Sequence, residues 1–137
     1  MKYIKLILIA LIFTNCQAQS NKLLLSERLI SDWSKYPIYP RLIQSNNGSE
    51  EWKEEYKYLD SIDVYGITYL SDGLQIRGLM AKPKKAGSYP CIIYNRGGNR
   101  EFGSLKVAHG AISLGQIAKE GYVVIASQYR GNGGSEG

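Results

Sequence analysis

The chain has 137 residues, of which 44% are hydrophobic and 21% charged, and its formal net charge is +5 at pH 7. This composition is typical of a globular protein and excludes an intrinsically disordered chain or a multi-span membrane protein, and two cysteines are too few for a disulfide scaffold. The length allows one domain or a piece of a larger one, and the positive charges do not cluster into a stripe that would indicate nucleic-acid binding.

Residues 1–18 are predicted to be a signal peptide. Two lysines lie within Met1–Lys5, and an uninterrupted apolar run covers Leu6–Phe13. That run is too short to cross a bilayer, which requires about 20 residues, and a basic start before a short apolar core is typical of a secretory signal. Cleavage after Ala18 would export the protein to the periplasm or the extracellular space. In the alternative interpretation, Cys16 carries a lipid that anchors the chain to a membrane.

Residues 19–64 are predicted to form a helical and linker region. Large apolar side chains recur at four-residue spacing over Leu25–Trp33, which predicts an amphipathic helix that ends before Pro37. A second, short helix is predicted over Glu50–Leu59, where four glutamates alternate with aromatic and apolar residues. The glutamates could be taken for a metal site, but their even spacing along a helix favours a solvated face.

From residue 65 onward the pattern predicts the start of an α/β sheet. Alternating apolar residues over Tyr65–Met80, interrupted by the turn residues Asp72-Gly73, predict a β-hairpin. The compact apolar run Cys91–Tyr94 predicts a strand that is buried on both faces. A helix is predicted over Ile112–Glu120 and a further strand over Tyr122–Tyr129.

The last two predicted strands should be parallel and joined by a right-handed crossover. In open α/β sheets the chemistry lies at the carboxyl ends of the strands. In this chain those ends are Asn95–Gly98 and the glycine-rich Arg130–Gly134. The sequence therefore predicts that the functional residues of this region lie in these two loops.

Two glycine motifs at these strand ends do not fit nucleotide binding. Gly98–Gly103 has the glycine spacing of a phosphate loop, but Ser104-Leu105 replaces the lysine and hydroxyl residue that should follow. Gly131–Gly134 suggests a dinucleotide loop, but Glu136 stands where the third glycine should be. Neither motif predicts a nucleotide cofactor.

A third motif, Gly133–Gly137, satisfies the G-x-S-x-G pattern of a serine nucleophile around Ser135. In a nucleophile elbow a strand runs straight into the serine and a helix starts after it. Here the predicted strand has ended by Tyr129, so Ser135 is interpreted as a chance match. His109 precedes it, whereas the catalytic base follows the nucleophile in such folds, and a surface or helix-cap role is expected for this histidine.

Two segments carry a resemblance to a known family. They are Tyr-Pro-Cys-Ile-Ile-Tyr-Asn-Arg-Gly-Gly at 89–98 and Gly-Tyr-Val-Val-Ile-Ala-Ser-Gln-Tyr-Arg-Gly at 121–131. With the helix between them, these segments resemble the α/β-hydrolase fold. More narrowly, they resemble the catalytic domain of the prolyl oligopeptidase (S9) family of serine peptidases. The resemblance covers residues 65–137, which it identifies as the N-terminal portion of such a domain.

The resemblance implies that Gly97 and Gly98 belong to the oxyanion loop. The residue before them is commonly Tyr or His in these enzymes and is Arg96 here. Arg96 could donate to a developing oxyanion, a contact worth about 3 kcal/mol of barrier. It could also hold a substrate carboxylate, or brace the loop by pairing with Glu101. The same resemblance places three residues at the pocket rim without a chemical role: Tyr129, Arg130 and Gly131.

The resemblance also implies that the catalytic serine, acid and histidine follow the fourth strand. No catalytic residue is therefore expected within these 137 residues. The chain is expected to be the inactive N-terminal part of an exported serine hydrolase of about 250–300 residues. The strand at residues 91–94 would then have an unpaired outer edge, and only one of the two faces of the sheet would carry a helix.

The substrate is expected to be a peptide or a small acyl or ester compound, with no cofactor, metal or nucleic-acid partner and with membrane contact only through a lipidated Cys16. Residues 19–64 are too few for the β-propeller that usually precedes the hydrolase domain in this family. A secreted esterase or dienelactone-hydrolase-like enzyme is therefore one alternative. A non-catalytic secreted interaction protein that uses Glu50–Leu59 is another.

Overall fold

The computed structural model describes residues 23–98 and 101–137. The predicted signal peptide and Cys16 lie outside these residues. The described strands are β1 (Leu24–Leu29), β2 (Ile43–Asn46), β3 (Ser49–Trp52), β4 (Ile62–Ser71), β5 (Leu74–Pro83), β6 (Cys91–Tyr94) and β7 (Val123–Ser127). The helical segments are α1 (Tyr39–Leu42), α2 (Val107–His109), a π turn (Gly110–Leu114), α3 (Gly115–Ala118) and the 3₁₀ turns Trp33–Lys35 and Glu54–Asp60.

Five of these strands form one mixed sheet in the order β1-β4-β5-β7-β6, and β2 pairs with β3 in a separate hairpin. The pairs β1–β4, β4–β5 and β5–β7 are antiparallel. Strand β6 is parallel to β7, as predicted for the last two strands. The described chain is therefore an α/β structure whose parallel pair lies at one side of the sheet.

The predicted hairpin is confirmed as β4 and β5, which pair without interruption from Ile62–Pro83 to Ser71–Leu74. Both turn residues have positive φ angles, 51° at Asp72 and 79° at Gly73. This is the backbone of a type I′ turn, whose twist matches that of the flanking strands and which favours an Asp-Gly pair. The contact between β4 and β5 is the most extensive one between any two described elements.

The helix predicted over Leu25–Trp33 is wrong, because residues 24–29 form the edge strand β1 and only Trp33–Lys35 is a 3₁₀ turn. Side chains alternate between the two faces of a strand, so residues four positions apart share one face of a strand. They also share one side of a helix, and this spacing therefore does not distinguish the two structures. All six residues of β1 are exposed, so burial did not impose the alternation that identifies a strand. Its pairing with β4 decides the conformation.

The second predicted helix, over Glu50–Leu59, is only partly correct. Its first residues belong to β3, and the helical part is the 3₁₀ turn Glu54–Asp60. Tyr56 and Leu59 of this turn are buried, whereas Glu54 and Glu55 are exposed. The solvated acidic face is therefore confirmed for the turn.

The helix between β6 and β7 begins earlier than predicted and is continuous over residues 107–118 as α2, the π turn and α3; we call it the crossover helix. It packs on the sheet through Leu114 and Ala118, which are fully buried. Gly110 allows a close approach, because a Cβ atom there would lie 2.7 Å from Val64 Cγ1. Among the described helices, none is long and apolar enough to span a bilayer.

The expectation that Cys91–Tyr94 is buried on both faces is wrong. Cys91 is exposed, and the side chain of Ile93 is 73% exposed. Within residues 23–98 and 101–137, the expectation of an unpaired outer edge is confirmed, because β6 ends the sheet and pairs there with β7 alone. Helical cover lies on one face of this strand pair, where Val124 and Ala126 are fully buried.

Candidate functional site

The two loops that follow β6 and β7 lie side by side. Because β6 and β7 are parallel, their carboxyl ends reach the same edge of the sheet. The loop after β6 contains Arg96, Gly97 and Gly98, and the loop after β7 is irregular over residues 128–137. The structure therefore brings together the two segments that the sequence assigned to a site.

Arg96 is buried, with 4% of its surface exposed. Its guanidinium lies over the ring of Tyr129, 4.0 Å from the ring centroid, and Nη1 donates a hydrogen bond of 3.1 Å to the carbonyl of Phe102. The Tyr129 hydroxyl in turn donates to the Arg96 carbonyl at 2.7 Å. These contacts tie the start of the first loop to its end and to the second loop, so Arg96 acts here as a brace.

The first loop closes tightly on itself at Gly98. This glycine has a φ angle of +100°, and a Cβ atom there would lie 2.2 Å from the Phe102 carbonyl oxygen. Only glycine fits such a backbone crossing. Gly97 and Gly98 are both exposed, and among the described residues neither amide donates to another backbone carbonyl. Gly97 and Gly98 are thus two adjacent exposed residues next to a tight crossing of the backbone.

Gln128, which the sequence did not indicate, joins the two loops through its side chain. It is 7% exposed, its Oε1 accepts from the Leu105 amide at 3.1 Å, and its Nε2 donates to the Leu105 carbonyl at 2.9 Å. One side chain therefore satisfies both backbone groups of a residue in the neighbouring loop. A polar residue directly after the apolar strand Val123–Ser127 was the only signal for it in the sequence.

Glu101 forms a second bridge between the loops. Its Oε1 accepts from the Gly133 amide at 3.3 Å, and its Oε2 accepts from the Ser104 hydroxyl at 2.9 Å. The hydrogen bond from Ser104, followed by that from Gly133, holds the pKa of the Glu101 carboxyl below its ordinary value, and the positive charge of Arg96 adds to the effect. Glu101 is therefore an ionised acceptor at neutral pH and poorly suited to serve as a general acid.

Ser135 is placed as a structural residue. Its side chain is 9% exposed, and its Oγ accepts a hydrogen bond of 3.0 Å from the Arg77 amide of β5. Its own amide donates to the Asn132 carbonyl at 2.9 Å. Strand β7 ends at Ser127, so no strand runs directly into Ser135 as it does in a nucleophile elbow.

The three residues assigned to the pocket rim make different contacts. Tyr129, 44% exposed, covers Arg96 as described above. Arg130 forms an ion pair with Asp72 and so connects the second loop to the turn of the β4–β5 hairpin. The Gly131 amide donates to the Glu136 carbonyl at 3.0 Å. These contacts fix the outline of the second loop.

His109 lies away from these contacts, at the start of the crossover helix. Its Nδ1 accepts a hydrogen bond of 2.9 Å from the Lys106 amide, which confirms the expected cap role. Among residues 23–98 and 101–137, no group of three or more His, Cys, Asp or Glu side chains could hold a metal ion. At the strand ends, Gly97 and Gly98 are exposed on loops that other residues brace. The carboxylate there, Glu101, is already hydrogen-bonded.

One comparison with known proteins gives a relative. The sequence is similar to a protein of Bacillus subtilis (strain 168) named uncharacterized peptidase YtmA, with 41% identity over 76 residues. The matched stretch covers 56% of this chain and 28% of the relative, so the chain spans little more than a quarter of the relative's length. No protein-family model and no solved structure matches the chain.

Proposed function

We propose that this chain is the N-terminal part of a serine hydrolase, a peptidase of the prolyl oligopeptidase type, and that the amides of Gly97 and Gly98 form its oxyanion site. The similarity to a protein named a peptidase carries the proposal. The placement of two adjacent exposed glycines, Gly97 and Gly98, at the carboxyl edge of a parallel strand pair supports it. Donors of this kind stabilise the negative oxygen that develops during acyl transfer.

In this proposal Arg96 positions the loop and does not contact the substrate. Its guanidinium lies over the Tyr129 ring and donates to the Phe102 carbonyl, so it is directed into the loop. Gln128 and Glu101 complete the brace by linking the first loop to the second.

The catalytic triad is proposed to come from residues that are not among these 137. The serine would attack the substrate carbonyl carbon, a histidine would take the serine proton, and that proton would pass to the leaving amine or alcohol. The open edge of β6 and the exposed side chain of Ile93 support this proposal, because further strands and helices could cover them. Export through the N-terminal signal remains part of the proposal.

The experiment is labelling with a fluorophosphonate probe, which reacts with activated serines. The product of the whole open reading frame that contains codons 1–137 is expected to be labelled, and the isolated chain of 137 residues to stay unlabelled. Ser135→Ala should leave the labelling of the whole product intact. Labelling of the isolated chain that disappears in Ser135→Ala would overturn the proposal.

A pair of substrates distinguishes a peptidase from an esterase. A peptidase is expected to cleave a prolyl p-nitroanilide as well as the p-nitrophenyl ester of the same acyl group. Cleavage of the ester alone would favour the alternative of a compact esterase. Failure of the whole product to react with either substrate and with the fluorophosphonate would contradict a serine hydrolase of any kind.

A further inference from the structure

A cavity of about 660 Å³ lies far along the chain from the strand-end loops, between the 3₁₀ turn Trp33–Lys35 and the β2–β3 hairpin. A second cavity of about 290 Å³ shares four of its lining residues. The proposed hydrolase function makes no use of either. The larger cavity combines two kinds of side chain: the aromatic residues Trp33, Tyr39 and Trp52, and the acidic residues Asp32, Glu50, Glu51 and Asp60.

The aromatic side chains form a corner with perpendicular walls. The Trp33 and Trp52 rings are 6.3 Å apart at an angle of 89°, and the Tyr39 and Trp52 rings are 6.4 Å apart at 83°. Trp52 is held in this position by a hydrogen bond of 2.8 Å from its Nε1 to Asp60 Oδ1. A group that enters the corner can therefore contact the faces and edges of several rings at once, as in aromatic cages for ammonium ions.

The carboxylates of the cavity accept hydrogen bonds from neutral donors. Glu50 accepts from the Tyr39 hydroxyl at 2.7 Å, and Glu51 accepts from two side-chain amides of β2, each at 3.1 Å. These donors are neutral, as is the indole that donates to Asp60. Within the described part of the chain, no ion pair joins any of these three carboxylates to a cation.

The basic residue among the lining side chains, Lys57, forms an ion pair with an acid outside the cavity. Lys57 Nζ lies 2.6 Å from Glu54 Oε2. This hydrogen-bonded partner keeps the pKa of Lys57 above its ordinary value, and the negative charge of Glu51 adds to the effect. Asp32 is likewise paired, with Lys35 Nζ at 3.1 Å. The lining contains four acidic residues and one basic residue, so the net charge of the cavity is negative.

We propose that this cavity binds an organic cation, an ammonium group that carries alkyl substituents. Aromatic faces attract such a cation through their quadrupoles, and carboxylates nearby add Coulomb attraction. A bare metal ion fits less well, because the described residues provide no group of three ligands. A neutral sugar could stack on the tryptophans and donate hydrogen bonds to the carboxylates, but it would lack the Coulomb attraction that a cation gains from them.

The chain is suited to a direct binding assay. It contains two tryptophans, Trp33 and Trp52, and both line the cavity, so its tryptophan fluorescence reports on this part of the structure. Titration of the full chain with choline is expected to change the fluorescence with saturation. The neutral isostere 3,3-dimethylbutan-1-ol is expected to bind at least about tenfold more weakly, since it lacks the charge. Added salt should weaken the binding of choline and leave the binding of the neutral isostere unchanged.

A pair of variants tests whether the carboxylate of Glu51 contributes to binding. Glu51→Gln should weaken choline binding about threefold or more, because it removes one carboxylate while keeping a side chain of the same shape. The matched control is Glu55→Gln, which removes the same charge from an exposed residue that does not line the cavity and should leave binding unchanged. Equal affinity for choline and its neutral isostere, or tighter binding of methyl α-glucoside, would overturn the proposal. Equal effects of the two variants would overturn it as well.

Discussion

The substitution Gln128→Met tests whether a single buried amide holds the two strand-end loops together. Methionine has a similar length and volume, so the packing is kept while both hydrogen bonds to the Leu105 backbone are lost. Each bond contributes about 1 kcal/mol, and the Leu105 amide and carbonyl remain partly buried without their partner. The free energy of unfolding should therefore fall by about 2–3 kcal/mol.

Urea denaturation followed by far-UV circular dichroism measures this change, with Gln75→Met as the matched control. Gln75 is an exposed residue of β5, and its substitution should alter the free energy of unfolding by less than about 0.5 kcal/mol. Amide exchange adds a local measurement, because the Leu105 amide should lose its protection in Gln128→Met. Equal stability losses in the two variants would refute the role assigned to Gln128.

Three further predictions concern the same two loops. Gly98→Ala should abolish the tight turn, since its Cβ would lie 2.2 Å from a backbone oxygen at a φ angle of +100°, and fluorophosphonate labelling of the whole product should fall at least about tenfold. The pKa of Glu101 is depressed in the folded chain, so its contact with the Gly133 amide is fully present above the ordinary pKa of 4.5. The contact is lost as the pH falls through the lower pKa of the folded state. The chemical shift of the Gly133 amide should therefore titrate below pH 4.5. Ser135→Ala should cost about 1–2 kcal/mol in urea denaturation, because the Arg77 amide loses its acceptor, and an unchanged stability would contradict the structural role.

The parts of the fold that the sequence predicts are those in which local pattern and burial agree. The β4–β5 hairpin combines alternating apolar residues with the Asp72-Gly73 turn, and both signals indicate the same register. The crossover helix and β7 are found near the predicted positions, because a buried helix face and an apolar strand follow each other between glycine-containing loops. Neither prediction required knowledge of a distant contact.

Strand β1 shows why the remainder was missed. Its leucines are exposed, so no buried face imposes a period, and the pairing with β4 joins residues about 40 positions apart. The same limit applies to the site. The resemblance identified Gly97 and Gly98, but the bridges made by Gln128 and Glu101 join residues 23 and 32 positions apart, and only the folded chain brings them together.

The open face of the sheet explains why the burial predicted for β6 is not observed. Met80, Ile125 and Ile93 lie in one row across β5, β7 and β6, and all three are at least partly exposed. The neighbouring positions Val124 and Ala126 point to the opposite face and are fully buried near the crossover helix. Strand β6 is therefore apolar on both of its faces, and the described residues cover one of them. Since a buried isoleucine side chain contributes about 1.5–3 kcal/mol, cover over Ile93 would stabilise the sheet at the edge where its two loops meet.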